Sequence, residues 1–324
     1  MEIADGSNTL TSSELVAAEA TIIVGTGAMA CLFAARFAAA GIPFIMLGTW
    51  QEGLLALIQE GVHLIEADDS ELAYPVHATN QTQLCSGART ALVLVKSWQT
   101  ARAARQIAEF LAPDGVALTL QNGLGNREIL AETLGSPRVA LGVTTVGANL
   151  LGPGRVSPAG QGVTTLSAHP HLARLAEVLR AAGFIVESAP DANALLWGKL
   201  VINAAINPLT ALLGVPNGDL LARREARALM AAVAREAASV AVAQGIGLPY
   251  PDPVVATETI ARRTATNRSS MLQDVRRGAP TEIDAINGAI VHAGEQTGVS
   301  TPINRTLWQL IKALIAKGAG SRKT

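Results

Sequence analysis

Ile22-Ile23-Val24-Gly25-Thr26-Gly27-Ala28-Met29-Ala30 is the stretch that decides the fold. A short apolar run of strand character enters a glycine turn and leaves it as a helix over residues 28–40, stopped by Gly41. The pattern is Gly-x-Gly-x-x-Ala, set between a strand and a helix as dinucleotide binding requires. Gly25 permits the tight turn, Gly27 lets a pyrophosphate approach the backbone, and Ala30 keeps the helix close to the sheet. Free N–H groups and the helix dipole then favour a diphosphate. Gly25, Thr26, Gly27, Ala28, Met29 and Ala30 are therefore the candidate cofactor-binding residues. A structural turn that merely packs tightly is the competing explanation of the same motif.

Outward from this turn, strands and helices alternate. Residues 43–47, 62–65, 74–78, 91–95 and 116–120 read as strands, with helices over 54–59 and 100–111. Extended segments follow at 139–146, 154–157 and 162–166, then a helix over 172–182 and a last strand at 185–188. This alternation predicts a doubly wound α/β sheet of Rossmann type. Near Pro190-Asp191 the pattern becomes helical: 192–206, 208–213, 219–244, 254–265, 270–277, 283–297 and 302–316. The expected division is an extension over 1–20, a dinucleotide-binding domain over 21–190, an all-helical domain over 191–317 and a tail over 318–324.

Bulk properties agree with two domains in 324 residues, 49% hydrophobic and only 16% charged, so a large core is available and disorder is disfavoured. A net charge of -1 gives no reason to expect nucleic acid or a membrane surface as partner. Cys31 and Cys85 make no disulfide framework and read as core residues of a reducing compartment. Residues 1–20 lack the basic cluster of a secretory signal, and the apolar run 22–35 is too short to span a membrane, so a cytoplasmic protein is expected. No metal site is expected. The apolar helices of the second domain fit either a core or a homodimer interface.

The end of the second strand normally selects the cofactor, through an acid for a ribose 2′-hydroxyl or an arginine for a 2′-phosphate. Here it reads Leu47-Gly48-Thr49-Trp50-Gln51-Glu52, with neither in the usual place. Thr49 and Gln51 can donate to a phosphate, and Glu52 can bond a hydroxyl but lies late. These residues leave NADP(H) and NAD(H) both open.

The second informative stretch is Lys199-Leu200-Val201-Ile202-Asn203-Ala204-Ala205-Ile206-Asn207-Pro208-Leu209-Thr210. Lys199, Asn203 and Asn207 recur every four residues, so one helix face carries an ammonium and two carboxamides among apolar neighbours. Such groups must be satisfied, and a ligand that accepts and donates hydrogen bonds would do so. Pro208 disfavours helical geometry at Asn207, so a kink or restart exposing Asn207 is expected. Lys96 and Asn122 each follow an apolar strand at the sheet edge where ligands sit in open α/β folds. Their structural explanations are a snorkelling lysine and an Asn-Gly turn. Further on, Ser270 with Gln273 matches a capping box and Thr281 with Asp284 approximates one, while Glu282 complements a helix dipole.

Together these residues resemble the ketopantoate reductase (2-dehydropantoate 2-reductase) family over nearly the whole chain, about residues 21–316. The resemblance is carried by Gly25-Thr-Gly-Ala-Met-Ala30, Val95-Lys96-Ser-Trp-Gln99, Leu120-Gln-Asn122-Gly-Leu-Gly125, Lys199-x-x-x-Asn203-x-x-x-Asn207-Pro-Leu-Thr210, Ser269-Ser-Met-Leu-Gln-Asp274 and Thr281-Glu-Ile-Asp284. It implies a Rossmann domain joined to a helical domain like the C-terminal domain of 6-phosphogluconate dehydrogenase. It implies NADPH-dependent reduction of ketopantoate to D-pantoate, on the way to pantothenate and coenzyme A. By the same resemblance Lys199 is the general acid and Glu282 supports it or contacts the substrate hydroxyl. Asn122, Asn203, Asn207 and Ser270 bind the 2-oxo acid, and Lys96, Asn122 and Glu282 lie beside the cofactor. A hydroxy-acid or opine-type dehydrogenase with another substrate, or a non-catalytic nucleotide sensor, are the competing classes. A lysine in an apolar cleft has its pKa lowered by burial and raised by a glutamate, and the sequence leaves the balance open.

Overall fold

A computed structural model describes residues 19–320. The expected extension as far as residue 18, and the tail from residue 321, lie outside the described residues. The chain divides into two compact units. The first holds the described residues up to Val95 with Ala101–Leu120 and Ile129–Ser188. The second holds Lys96–Thr100, Gln121–Glu128 and the described residues from Ala189.

The first unit contains strands β1 (Thr21–Val24), β2 (Phe44–Leu47), β3 (Val62–Ile65), β4 (Glu71–Tyr74), β5 (Ala78–Thr79), β6 (Ala88–Val93) and β7 (Leu111–Thr119). These are followed by β8 (Val139–Thr144), β9 (Ala148–Gly152), β10 (Arg155–Pro158), β11 (Val163–Ser167) and β12 (Ile185–Ala189). The main sheet runs β12-β11-β8-β7-β6-β1-β2-β5. Its members from β5 to β8 are all parallel, and β11 returns antiparallel to β8. This is the doubly wound order, and it reverses between β1 and β6. Gly25 follows β1 at that reversal. A second sheet, β4-β3-β10-β9, is separate.

The helix Ala28–Ala39 packs against strands of both sheets, and its residues from Ala30 to Ala35 are all buried. That is why it lacks a polar face and reads as one apolar run. Phe33 stacks on Phe184 at 4.2 Å between ring centroids, and Phe37 meets Phe44 edge-on at 5.9 Å. Both cysteines are free and buried, and burial pushes the Cys31 thiol up to about 12 and that of Cys85 to about 11. The strand expected over 74–78 is two strands in different sheets, because Pro75 has no N–H to continue a ladder. Strand β9 and the helix Asn126–Leu134 were not foreseen.

The second unit is helical: Asn193–Leu213, Asp219–Ala222, Arg224–Ala243, Pro253–Arg263, Ser270–Arg277, Ala289–Thr297 and Pro302–Gly320. Two helices expected around Asn207 are a single helix, Asn193–Leu213, running through Pro208. Proline removes the N–H that would bond the carbonyl of Ala204. The Asn287 side chain takes its place, donating from Nδ2 to Ala204 O at 3.1 Å. With that carbonyl satisfied the helix need not restart. The helix expected over 219–244 breaks at Arg223, whose backbone is extended. The one expected over 283–297 opens with a π turn, Asp284–Gly288.

By length and composition Asn193–Leu213 would pass for a membrane span, but 67% of its most apolar window is buried inside the unit, as in a core helix. Leu200, Val201, Ala204 and Ala205 are buried in one cluster with Met230, Val233 and Ile290.

Phe33 is fully buried, so Phe33→Ala is expected to cost ~3–5 kcal/mol, read as a lowered urea midpoint with unchanged slope.

Candidate active site

The glycine turn is built as its sequence requires. Gly25 has φ +134°, and a Cβ there would lie 3.2 Å from the Leu94 carbonyl carbon and oxygen. No other residue fits both demands. A Cβ on Gly27 would meet nothing within 4 Å, so the backbone is open to a ligand at this point. Gly27, Ala28 and Met29 are half-buried, whereas Gly25, Thr26 and Ala30 are buried.

The end of β2 has a steric constraint that the sequence did not reveal. A Cβ on Gly48 would lie 2.5 Å from Thr26 Cγ2, so any larger residue at position 48 requires the Thr26 side chain to shift. Beyond it Thr49, Trp50, Gln51 and Glu52 are exposed. The Trp50 ring lies against Gly53, where a Cβ would come within 2.2 Å of Cε3.

The second unit gathers Lys96, Asn122 and Glu282, three of the residues singled out from sequence. The Glu282 carboxylate is 5% exposed and accepts from Ser97 N at 3.1 Å and Asn122 Nδ2 at 3.2 Å. Lys96 Nζ lies 3.9 Å from it. Two local features hold this arrangement. Gly123 has φ +84°, and a Cβ there would sit 2.4 Å from Ala285 O, so only glycine lets the Asn122 loop approach the Glu282 segment. Leu124 N then donates to Ala285 O at 2.9 Å. Behind the loop, Gln121 Nε2 donates to the Thr100 hydroxyl and Asn126 Nδ2 to Asn122 O.

Asp274 was not foreseen. It is buried, accepts from Lys96 Nζ at 2.6 Å through Oδ2, and accepts from Arg277 Nη2 at 2.9 Å through Oδ1. On an amphipathic reading of 270–277 it is one polar residue among several, and only its burial distinguishes it. Burial acts to lower the Lys96 pKa, but Glu282 and Asp274 outweigh it and hold the amine above its ordinary value, with Arg277 opposing them. Lys96 therefore stays charged.

Lys199 behaves the opposite way. It is half-buried on the helix face with half-buried Asn203, and burial pulls its amine down to about 8 while the Glu282 carboxylate pulls upward. The contest left open by the sequence is thus won by burial. An amine poised there is mostly protonated at neutral pH yet close enough to its midpoint to give up its proton, which suits a proton donor.

Three local expectations are corrected. Asn207 is only 7% exposed, because the helix continues through Pro208 instead of restarting. The cap of Ser270–Arg277 is Ser269, whose Oγ accepts from Leu272 N at 3.1 Å and lies 2.6 Å from Thr210 Oγ1. The half-buried Ser270 hydroxyl is left out of that cap. Asp284 forms no capping box with Thr281. Its Oδ1 accepts from Trp308 Nε1 at 2.6 Å and from Lys312 Nζ at 3.1 Å.

A parallel sheet reversing beside a Gly-x-Gly-x-x-Ala turn, joined to a helical unit, defines a Rossmann-type dinucleotide-binding protein. More narrowly, the chain belongs to the ketopantoate reductase PanE/ApbA family: residues 21–171 match that family's description and residues 191–315 match its C-terminal counterpart. It is 37% identical over 297 residues to a 2-dehydropantoate 2-reductase of Archaeoglobus fulgidus, covering 90% of this chain and 96% of the relative. A PanE/ApbA family ketopantoate reductase from Ralstonia eutropha JMP134 superposes with a TM-score of 0.85 at 33% identity, covering 92% of this chain and 99% of the other. A D-mandelate dehydrogenase in a ternary structure with NADH and anilino(oxo)acetate shares the fold, with a TM-score of 0.84 at 23% identity over 92% of this chain and 99% of its own.

Asp274→Ala removes both of the charged partners' bonds, and since Lys96 is one-third exposed the expected loss is roughly 1–3 kcal/mol, measured by urea unfolding at pH 7.

Proposed function

We propose that this chain reduces 2-dehydropantoate to D-pantoate with NADPH, Lys199 donating the proton. The observation that carries the reading is the Lys199 amine, lowered to about 8 on an apolar helix within the field of the buried Glu282 carboxylate, with Asn203 one turn along the same face. Family membership and relatives named 2-dehydropantoate 2-reductase support this substrate.

When bound, the reduced nicotinamide supplies a hydride to the C2 carbonyl carbon. The chain's part is to hold the substrate and manage the charge on its oxygen. As the carbonyl π bond breaks, the developing alkoxide takes a proton from Lys199 Nζ, leaving a neutral amine and a C2 hydroxyl. Glu282 keeps Lys199 partly charged against burial and is itself held by Ser97 N and Asn122. Asn203 and Ser270, both half-buried, supply carboxamide and hydroxyl donors for the substrate carboxylate and hydroxyl, with the buried Asn207 one turn beyond Asn203 on the same face. Lys96 is charged and already engaged by Asp274, so it contributes a fixed positive field.

The cofactor's diphosphate is assigned to the backbone from Gly25 to Ala30, where Gly27 is open. NADP(H) is preferred over NAD(H): position 48 is a glycine and carries no acid that would repel a 2′-phosphate, and Thr49 is exposed beside it as a donor. Oxidation of NADPH and NADH at 340 nm with ketopantoate, 2-oxoisovalerate and pyruvate tests substrate and cofactor together. Selective turnover of ketopantoate with NADPH is expected, and turnover that favours another oxo acid would overturn the assignment.

Lys199→Ala is expected to lower kcat by at least ~100-fold while leaving NADPH binding, followed by fluorescence titration, intact. Because the donor must be protonated, kcat falls as pH rises through about 8. Glu282→Gln removes the upward pull, so that alkaline limb moves to lower pH.

A further inference from the structure

We propose that Asn287 is a positioning residue for the proton donor, its carboxamide tying the turn that follows Glu282 to the helix that carries Lys199, Asn203 and Asn207. The inference rests on the reading of Lys199 as general acid.

Ala204 lies between Asn203 and Asn207, and Pro208 leaves its carbonyl without a helical partner. One Asn287 Nδ2 hydrogen goes to that oxygen at 3.1 Å and the other to Asn304 Oδ1 at 3.0 Å. Asn304 Nδ2 in turn donates to Glu236 Oε2 at 2.9 Å, and the Glu236 carboxylate accepts from Ile303 N and Asn304 N at the start of the last helix. The amide is thus anchored from behind. Asn287 is fully buried, and its Oδ1 has no partner among the described residues.

An orphaned buried acceptor destabilises a fold. An alanine at position 208 with an apolar residue at position 287 would satisfy Ala204 O through the helix's own backbone and remove the Asn287 Oδ1 orphan, at the loss of the donor to Asn304 Oδ1. Helix satisfaction alone does not require the arrangement present, and what it adds is a connection between two segments. Asn287 sits in the π turn Asp284–Gly288, in which Ile286 N donates to Glu282 O at 3.1 Å and Gly288 N to Ile283 O at 3.0 Å. Such turns recur at functional sites. Ala285 O joins this turn to the Asn122 loop through Leu124 N, and Asp284 joins it to Trp308 and Lys312. The Ala204 bond joins it to the Lys199 helix.

Glu282 is a charged group whose field acts on Lys199, Lys96 lies 3.9 Å from Glu282, and Asp274 and Arg277 follow behind Lys96. Tyr250, whose hydroxyl donates to Gly198 O beside Lys199, is kept neutral because burial raises it to about 12. Loosening the turn therefore weakens one field, that of Glu282, at the Lys199 amine.

The test compares N287A, P208A and the double variant N287A/P208A in the full chain. Three quantities are read: melting temperature, kcat, and the pH midpoint of Lys199 labelling by trace acetic anhydride, followed by peptide mass spectrometry. N287A is expected to melt lower, and its labelling midpoint to drop by roughly 0.5–1 pH unit, as one weakened charge interaction implies. In the double variant the P208A substitution supplies the missing N–H, so the melting temperature recovers toward that of P208A alone. Its labelling midpoint stays displaced and its kcat stays about tenfold below that of P208A. Recovery of midpoint and kcat together with stability would make Asn287 purely structural and overturn the proposal, as would an unshifted midpoint in N287A. If N287A does not fold, the double variant against P208A gives the same comparison. Absence of oxo-acid turnover in every variant would sink the reduction reading, and the labelling midpoints would still decide the tether.

Discussion

The Glu282 carboxylate is the constraint around which the second unit's polar chemistry is arranged. A buried carboxylate is costly unless several donors meet it. Here Ser97 N, Asn122 Nδ2 and the Lys96 ammonium come from two segments far away in sequence, and all cluster with the helical unit. Satisfying that single charge fixes the backbone at Ser97, the side chain of Asn122 and the close approach at Gly123. The same charge sets how far burial can lower Lys199.

Two lysines in this unit are thereby given opposite characters. Lys96 has Asp274 within 2.6 Å and Glu282 beyond it, and stays firmly charged. At Lys199 desolvation outweighs the field of Glu282, and its amine comes down to about 8. One residue type thus serves as a fixed positive field and as a titratable donor, and the difference lies in the balance of burial against carboxylate fields at each.

Much of this was legible in the chain. The glycine turn, the strand alternation and the change to helices near residue 190 are local patterns, and local patterns survive folding. The Lys199-Asn203 face was legible for the same reason, since helical periodicity is a property of the segment alone. Other parts were misread where a distant partner intervenes. Pro208 predicted a break, and the helix is continuous because Asn287 satisfies Ala204 O. Ser270 looked like the cap, yet Ser269 holds that role in partnership with Thr210. Asp284 resembled a capping residue and is instead bound by the last helix.

The sequence by itself determined the dinucleotide turn, the doubly wound class and the stripe that presents Lys199, because each depends on residues within one or two turns of one another. Tertiary structure decided the rest: that Asp274 is buried against Lys96, that Thr26 fills the space at Gly48, and that burial outweighs Glu282 at Lys199. The physical reason is range. Backbone preferences and periodicity are set by near neighbours, whereas desolvation, charge balance and the supply of a missing hydrogen-bond donor depend on whatever the fold brings alongside.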